Sequence, residues 1–275
     1  MFKTTYENLF CHLRDDLKLE EDALVWLHSG VKGLGLIDDC VKTITDSFSN
    51  TLTRGALVIP TFSYSWNNNQ VYNLNLTECN DMGGYAKDAW KDSRFKRTTH
   101  PNFSVAVMDN TAQKLVEEKL LFEQKNISCF GDDSVFRKIE RLTSLSMPGY
   151  IILLGGSHDD VVFRTTFLHM IEERVGVPYR YNKLFYDPKK TGEWVGQYVR
   201  FITDIEYKNH IGFTPPAHYK FPIEEKYFQL GRDLIADGLI QCHKFGYSHT
   251  RVVSMRHFFS WLELKLMQDS EYLLK

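Results

Sequence analysis

Apolar and polar positions along the chain fall into two periods, and their succession predicts strands and helices in alternation. The clearest run is at residues 149–173. Tyr150 and the four apolar residues Ile151 to Leu154 suit a central strand covered on both faces. Gly155 and Gly156 follow at once, then the polar cluster Ser157, His158, Asp159 and Asp160, then a helical pattern. Further buried strands are predicted over 23–27, 55–60, 105–108 and 239–245, and residues 194–207 have strand-like content. Residues 4–18 predict an amphipathic helix with Leu9, Phe10, Leu13 and Leu17 near helical spacing. Other helices are expected over 37–48, 83–91, 111–121 on an Asn110 cap, 135–142 behind Ser134, 223–236 and 252–267. Residues 64–82 are rich in Asn without periodicity and predict a long loop.

This alternation argues for one α/β domain over residues 1–275, a largely parallel sheet flanked by helices. In such sheets ligands collect beyond the carboxyl end of a central strand, at the start of the next helix. On the helix after residue 160, Thr165, His169 and Glu172 stand at i, i+4 and i+7 and share one polar face. His169 therefore faces a ligand or is a core histidine bonded to a backbone carbonyl; the pattern alone leaves both open. Residues 28–35, HSGVKGLG, form a glycine-laced loop between a strand and a helix and predict an anion cradle in which Lys32 contributes. The spacing matches neither a dinucleotide fingerprint nor a P-loop.

Composition narrows the class. With 275 residues, 43% hydrophobic and 25% charged, the chain has the balance of an ordinary soluble globular protein. A net charge of −2 argues against a nucleic-acid partner, which would need a basic face. Five scattered cysteines with no CxxC pair predict reduced thiols, without a zinc ribbon or disulfide framework. No signal peptide and no apolar run of membrane-spanning length is seen, so no membrane partner and a cytoplasmic location are expected. His158 with Asp159 and Asp160 lacks a partner histidine at ligand spacing. The group reads as solvated or substrate-contacting residues, and no metal is expected. His100 before Pro101 binds ligand or caps a turn. Tyr64 and Trp66 line an acceptor pocket or belong to an ordered loop.

Several pieces in order carry a resemblance. They are HSGVKGLG at 28–35, residues 55–60 with Thr61-Phe62, Met82-Gly83, His100-Pro101 with Ser104, 131–134, Leu153-Leu154-Gly155, and Thr166-Phe167-Leu168-His169 with Glu172. In this order, from about residue 22 to 181 and more weakly to the last helix, the chain resembles the aminoglycoside 3-N-acetyltransferase family. The resemblance implies a three-layer α/β/α fold and a coenzyme A-dependent N-acetyltransferase using acetyl-CoA as co-substrate. It implies His169 as general base, oriented by an acidic residue on a later strand, where Asp204 stands with Glu206 as rival. It places coenzyme A on His28, Ser29, Val31, Lys32 and the Ser134 loop, and Ser104 and Thr166 near the pantetheine arm and thioester. Thr166 is a candidate oxyanion donor.

Direct attack by a small-molecule amine on the thioester is expected, with no acyl-enzyme; Cys129 reads as a packed thiol. Trp66, His100, His158 and Glu172 are candidate acceptor contacts. The loop region offers only Glu78, Asp81 and Asp88, sparse acidity for a polycationic drug, with Arg94, Lys96 and Arg97 nearby. An amino sugar or similar metabolite, nearly neutral or anionic, is therefore the expected acceptor. The alternatives are an aminoglycoside acetyltransferase conferring antibiotic resistance or a non-catalytic coenzyme-binding member; a homodimer is compatible with any of these.

Overall fold

The computed structural model describes residues 2–121, 128–156 and 162–275. The strands in chain order are β1 (Lys3–Thr4), β2 (Leu24–Ser29), β3 (Leu36–Ile37), β4 (Ala56–Pro60), β5 (Phe95–Arg97) and β6 (Val105–Asp109). They continue with β7 (Gly149–Gly156), β8 (Arg180–Tyr186), β9 (Trp194–Arg200), β10 (Ile240–Phe245) and β11 (Ser248–Ser254). The helices are α1 (Tyr6–Cys11), α2 (Cys40–Thr51), α3 (Gly84–Ala89), α4 (Leu115–Leu121) and α5 (Val135–Leu145). After them come α6 (Phe167–Val175), α7 (Asp204–Ile211), α8 (Tyr227–Ala236) and α9 (Met255–Gln268).

Seven strands form the central sheet in the order β10-β11-β7-β2-β4-β6-β5. β2 pairs in parallel with β4 and β7, while the outer pairings are antiparallel. Five strands (β10, β7, β2, β4 and β5) therefore point one way, and β11 and β6 the other. Residue alternation on the central strands separates two cores. Leu24 and Trp26 of β2, Val58 of β4 and Ile151 of β7 face the layer carrying α5, α6 and α9. Val25, Leu27, Ile59, Ile152 and Leu154 face the layer of α1, α2 and α3. This is the expected α/β/α sandwich, and the continuous apolar runs follow from burial on both faces.

Helix starts follow from side chains that accept the first free N–H groups. Thr5 and Asn8 form a reciprocal capping box on α1, which continues through a π-helical turn to Asp16. Asp39 caps α2 and Ser134 caps α5. Asn110 does not cap the following helix; its amide donates to the carbonyls of Ser49 and Leu52, which ties β6 to α2.

Three further differences bear on function. Residues 180–186 form β8, paired with β9 as a two-stranded hairpin outside the sheet. The expected strand over 194–207 ends at Arg200, and Asp204 opens α7 behind a Thr203 cap. Residues 248–254 form β11, a sheet strand, before α9 begins. β8 and β11 were illegible because neither shows an uninterrupted apolar run; arginine sits in both. Among the described residues no helix is long and apolar enough to cross a membrane.

Candidate active site

Two glycine loops meet at the carboxyl ends of β2 and β7. The Gly30 N–H donates to the Leu154 carbonyl at 2.7 Å. A Cβ on Gly33 would stand 2.3 Å from the Gly155 oxygen, and one on Gly155 2.3 Å from the Gly30 oxygen. Gly155 also has φ +76°, which side-chained residues rarely adopt. These two glycines therefore let backbone approach backbone.

That junction floors a cleft of about 1020 Å³. Its walls come from β2 (Leu27, His28, Ser29), the N-terminal end of α6 (Thr165, Thr166, His169), the β8–β9 hairpin, and Glu225 with Tyr227 before and at the start of α8. α6 is held in place by its first residue. The Phe167 ring lies 4.9 Å from Trp26, 5.7 Å from Phe136 and 5.2 Å from Phe259. With Phe167, Leu168, Met170 and Ile171 buried, His169 is the side chain of that turn turned to the cleft.

His169 Nδ1 lies 2.6 Å from Glu172 Oε2. Glu172 is fully buried and also accepts from the Tyr179 hydroxyl at 2.9 Å. An ionised carboxylate only accepts, so Nδ1 carries the proton, and in the neutral imidazole Nε2 then keeps its lone pair. Arg180, the first residue of β8, lies between two carboxylates: its Nε is 3.1 Å from Glu172 Oε2 and donates to Glu225 Oε1 at 2.6 Å. Its Nη2 also pairs with Glu225 and lies 3.4 Å from His169 Nε2, while Nη1 donates to the Tyr198 carbonyl at 3.2 Å. Burial works against the guanidinium charge, yet Glu172 and Glu225 hold the Arg180 pKa above its ordinary value. Burial pushes the Glu225 carboxyl up, but positive charge on His169 when it is protonated, the Arg180 guanidinium and the Tyr227 hydroxyl work against it and hold it below the usual range. Atoms of metal-ligand type on His169, Glu172 and Glu225 lie within 4.8 Å of one another. Arg180 is paired to both carboxylates of that group.

The other expected site residues divide. His28, Ser29 and Thr166 line the cleft. His28 Nε2 accepts from Trp26 Nε1 at 2.9 Å, and burial depresses its pKa to about 4, so it stands as a neutral wall of the cleft. The Thr166 hydroxyl makes no helix-cap hydrogen bond. Val31 and Lys32 lie in a 3-10 turn outside the cleft lining, Lys32 exposed. Ser104 is sealed behind β4, donating to the Thr61 carbonyl and accepting from Arg97. Ser134 serves as the helix cap. His100 is the turn cap, its Nδ1 accepting the N–H groups of Asn102 and Phe103 at 3.2 and 3.0 Å. Trp66 is buried and its neighbour Asn67 lines the cleft instead. His158 lies outside the described residues.

Asp204 is not brought to His169. It opens α7 at the surface and pairs with Lys208 at 3.1 Å. Glu206 accepts from Tyr181 and the Ile202 N–H. Glu172, expected among acceptor contacts, occupies the orienting position, because three residues on a helix bring its carboxylate beside the imidazole. The basic residues move too: Arg94 pairs with Asp46 and Asp92, and Arg97 is buried under Trp90. Arg164, Lys183 and Arg200 line the cleft in their place. Arg180, Glu225 and Tyr227 went unnoticed in the sequence, where nothing in a connector or a charged stretch marks them; only the His169/Glu172 spacing carried a signal.

A family model described as aminoglycoside 3-N-acetyltransferase matches residues 26–266. Among solved structures, the apoenzyme of aminoglycoside acetyltransferase AAC(3)-IVa is similar, with TM-score 0.71 and 18% identity over 100% of this chain and 92% of that one. YokD protein from Bacillus subtilis has TM-score 0.68 and 17% identity over 98% of this chain and 96% of that one. AAC-VIa bound to sisomicin has TM-score 0.72 and 15% identity over 97% of this chain and 98% of that one. No curated protein matches the sequence. At these identities the structural likeness shows the shared fold, whereas the family model covers most of the residues that build the cleft. The chain belongs to the aminoglycoside 3-N-acetyltransferase family and is an acetyl-transferring enzyme.

Proposed function

We propose that the chain transfers acetyl from acetyl-CoA to the primary amine of an amino sugar or similar small metabolite, with His169 as general base. The observation that carries this reading is an imidazole in the cleft wall whose Nδ1 is bonded to a buried carboxylate, leaving Nε2 as acceptor. The thioester would lie along the Ser29-Gly30 edge, beside Thr166. The amine attacks the carbonyl carbon, the N–C bond forms, and the carbonyl electron pair moves to oxygen. Nε2 takes the proton from nitrogen, a role worth on the order of 10² to 10⁴ in rate. Collapse breaks the C–S bond, and the departing sulfur receives the proton back. The Thr166 hydroxyl is available to donate to the oxyanion. Cys129 is no rival nucleophile, since burial pushes its thiol pKa far up.

The acceptor reading rests on charge. With the Glu172–Arg180–Glu225 group counted as one negative charge, Arg164, Lys183 and Arg200 against Asp81 and Glu206 leave the cleft near neutral among the described residues. A lining without excess negative charge gives a polycation little to hold and suits an acceptor of little net charge. The family name favours a second reading, an aminoglycoside acceptor. Free-thiol release from acetyl-CoA with a panel of amines tests the activity, and His169→Ala should abolish it while coenzyme binding persists. Calorimetric titration with tobramycin and with a nucleotide-linked amino sugar decides the acceptor; tight binding of tobramycin alone overturns the amino-sugar reading.

A further inference from the structure

The buried group behind His169 does not balance its charge while the imidazole is neutral. Glu172 and Glu225 are each fully buried at the side chain and Arg180 nearly so. Two carboxylates and one guanidinium leave one negative charge uncompensated. Glu172 of α6 and Arg180 at the start of β8 touch His169; behind them Tyr179 bonds Glu172, Tyr198 of β9 lies against Arg180, and Glu225 carries Arg180 and the Tyr227 hydroxyl. Beyond Thr165 stands His28, 3.5 Å from the threonine hydroxyl. Among the described residues Arg180 is the cation bonded to both carboxylates, with Arg164 over the Tyr227 ring, and the Arg180 contact to Nε2, at 3.4 Å, is long. Its hydrogen bond to Glu225, at 2.6 Å, is short. Glu225 is fixed in turn by the Tyr227 hydroxyl.

We infer that Glu225 is a positioning residue for the base: it keeps the Arg180 hydrogen bond to the Nε2 lone pair long and weak and supplies the negative charge that the imidazolium neutralises. This rests on His169 acting as the base. When Nε2 takes the proton from the attacking amine, the cluster goes from one net negative charge to none. The guanidinium, still held by Glu225, yields its long contact to the new N–H. Glu172 sets the tautomer, whereas Glu225 acts through Arg180 and through its charge.

The test is the position of the ascending limb of the pH profile of kcat/KM, together with the His169 titration midpoint by NMR on histidine-labelled protein. The His169 signal is assigned by its loss in His169→Asn. Glu225→Gln makes the surroundings of His169 more positive. The limb and the midpoint should both move to lower pH by about one unit, with the plateau falling at least tenfold. Glu225→Asp keeps the charge and should return the midpoint toward its original value. Arg180→Met removes the cation and should move the midpoint the opposite way, to higher pH, and it tests the inference if Glu225→Gln fails to fold. A plateau that falls with limb and midpoint unmoved would show a purely structural role and overturn the inference, as would shifts of the same sign in Glu225→Gln and Arg180→Met. Should His169→Ala retain turnover, the base assignment fails, while the NMR midpoints still decide whether Glu225 sets the charge of that histidine.

Discussion

Replacing Glu172 by glutamine separates the charge of this carboxylate from its geometry. In the native site one oxygen accepts from the Tyr179 hydroxyl at 2.9 Å; the other faces His169 Nδ1 at 2.6 Å and the Arg180 Nε at 3.1 Å. The amide that takes the place of the carboxylate has one oxygen and one NH₂ to orient. A guanidinium has no lone pair to offer, whereas a tyrosine hydroxyl can turn and accept. The oxygen therefore stays toward Arg180 and His169, and the NH₂ turns to Tyr179. The Nδ1–H tautomer survives and only the charge is lost. A unit charge about 4 Å from the imidazolium is worth roughly 4 kcal/mol at an effective dielectric near 20. Discounted for relaxation, the loss is about 3 kcal/mol, or on the order of 10² in kcat. Glu172→Ala also loses orientation and tautomer, for which about 10⁴ is the comparable magnitude. It further strips a buried cation of a partner, at about 3–5 kcal/mol of stability. Thiol-release kinetics with thermal melts would read both. A folded Glu172→Gln protein with kcat within threefold of the parent would refute the charge contribution of this carboxylate, and one as impaired as Glu172→Ala would refute the placement of the amide.

Other outcomes follow from the same geometry. Thr166→Val should lower kcat about 10²-fold with little change in KM for acetyl-CoA, read by steady-state kinetics, if its hydroxyl serves the oxyanion. Gly155→Ala forces a side-chained residue to φ +76° with its Cβ 2.3 Å from the Gly30 oxygen; a loss of about 2–5 kcal/mol is expected in urea unfolding. His100, its pKa depressed to about 4 by burial, binds its proton far more readily when unfolded, where the midpoint is about 6.5. Its contribution is complete above about pH 6.5 and is lost as pH falls toward 4. It amounts to roughly 3 kcal/mol at most, and urea midpoints across that range should decline less in His100→Asn.

Much of the architecture was legible because burial on both faces writes itself as unbroken apolar runs. Ile151 to Leu154 marked β7, and the Ser134 cap marked the start of α5. Glycines at 30 and 33 signalled an anion cradle, whereas the structure packs them against the backbone at Gly155. His169 and Glu172 were visible as a polar face on a helix, since helical spacing alone brings side chains three residues apart together. The choice between Glu172, Asp204 and Glu206 as partner of the base was not visible. It depends on where β9 ends, and Thr203 turns the chain into α7 before Asp204 reaches the cleft. Arg180 and Glu225 lie 45 residues apart, and their 2.6 Å contact exists only because the β8–β9 hairpin and the segment before α8 close over one end of the sheet. Local periods set which residues are helical, extended or buried. Which charges share a dry space is decided by chain topology, and that is why the base was legible while the charges that tune it were not.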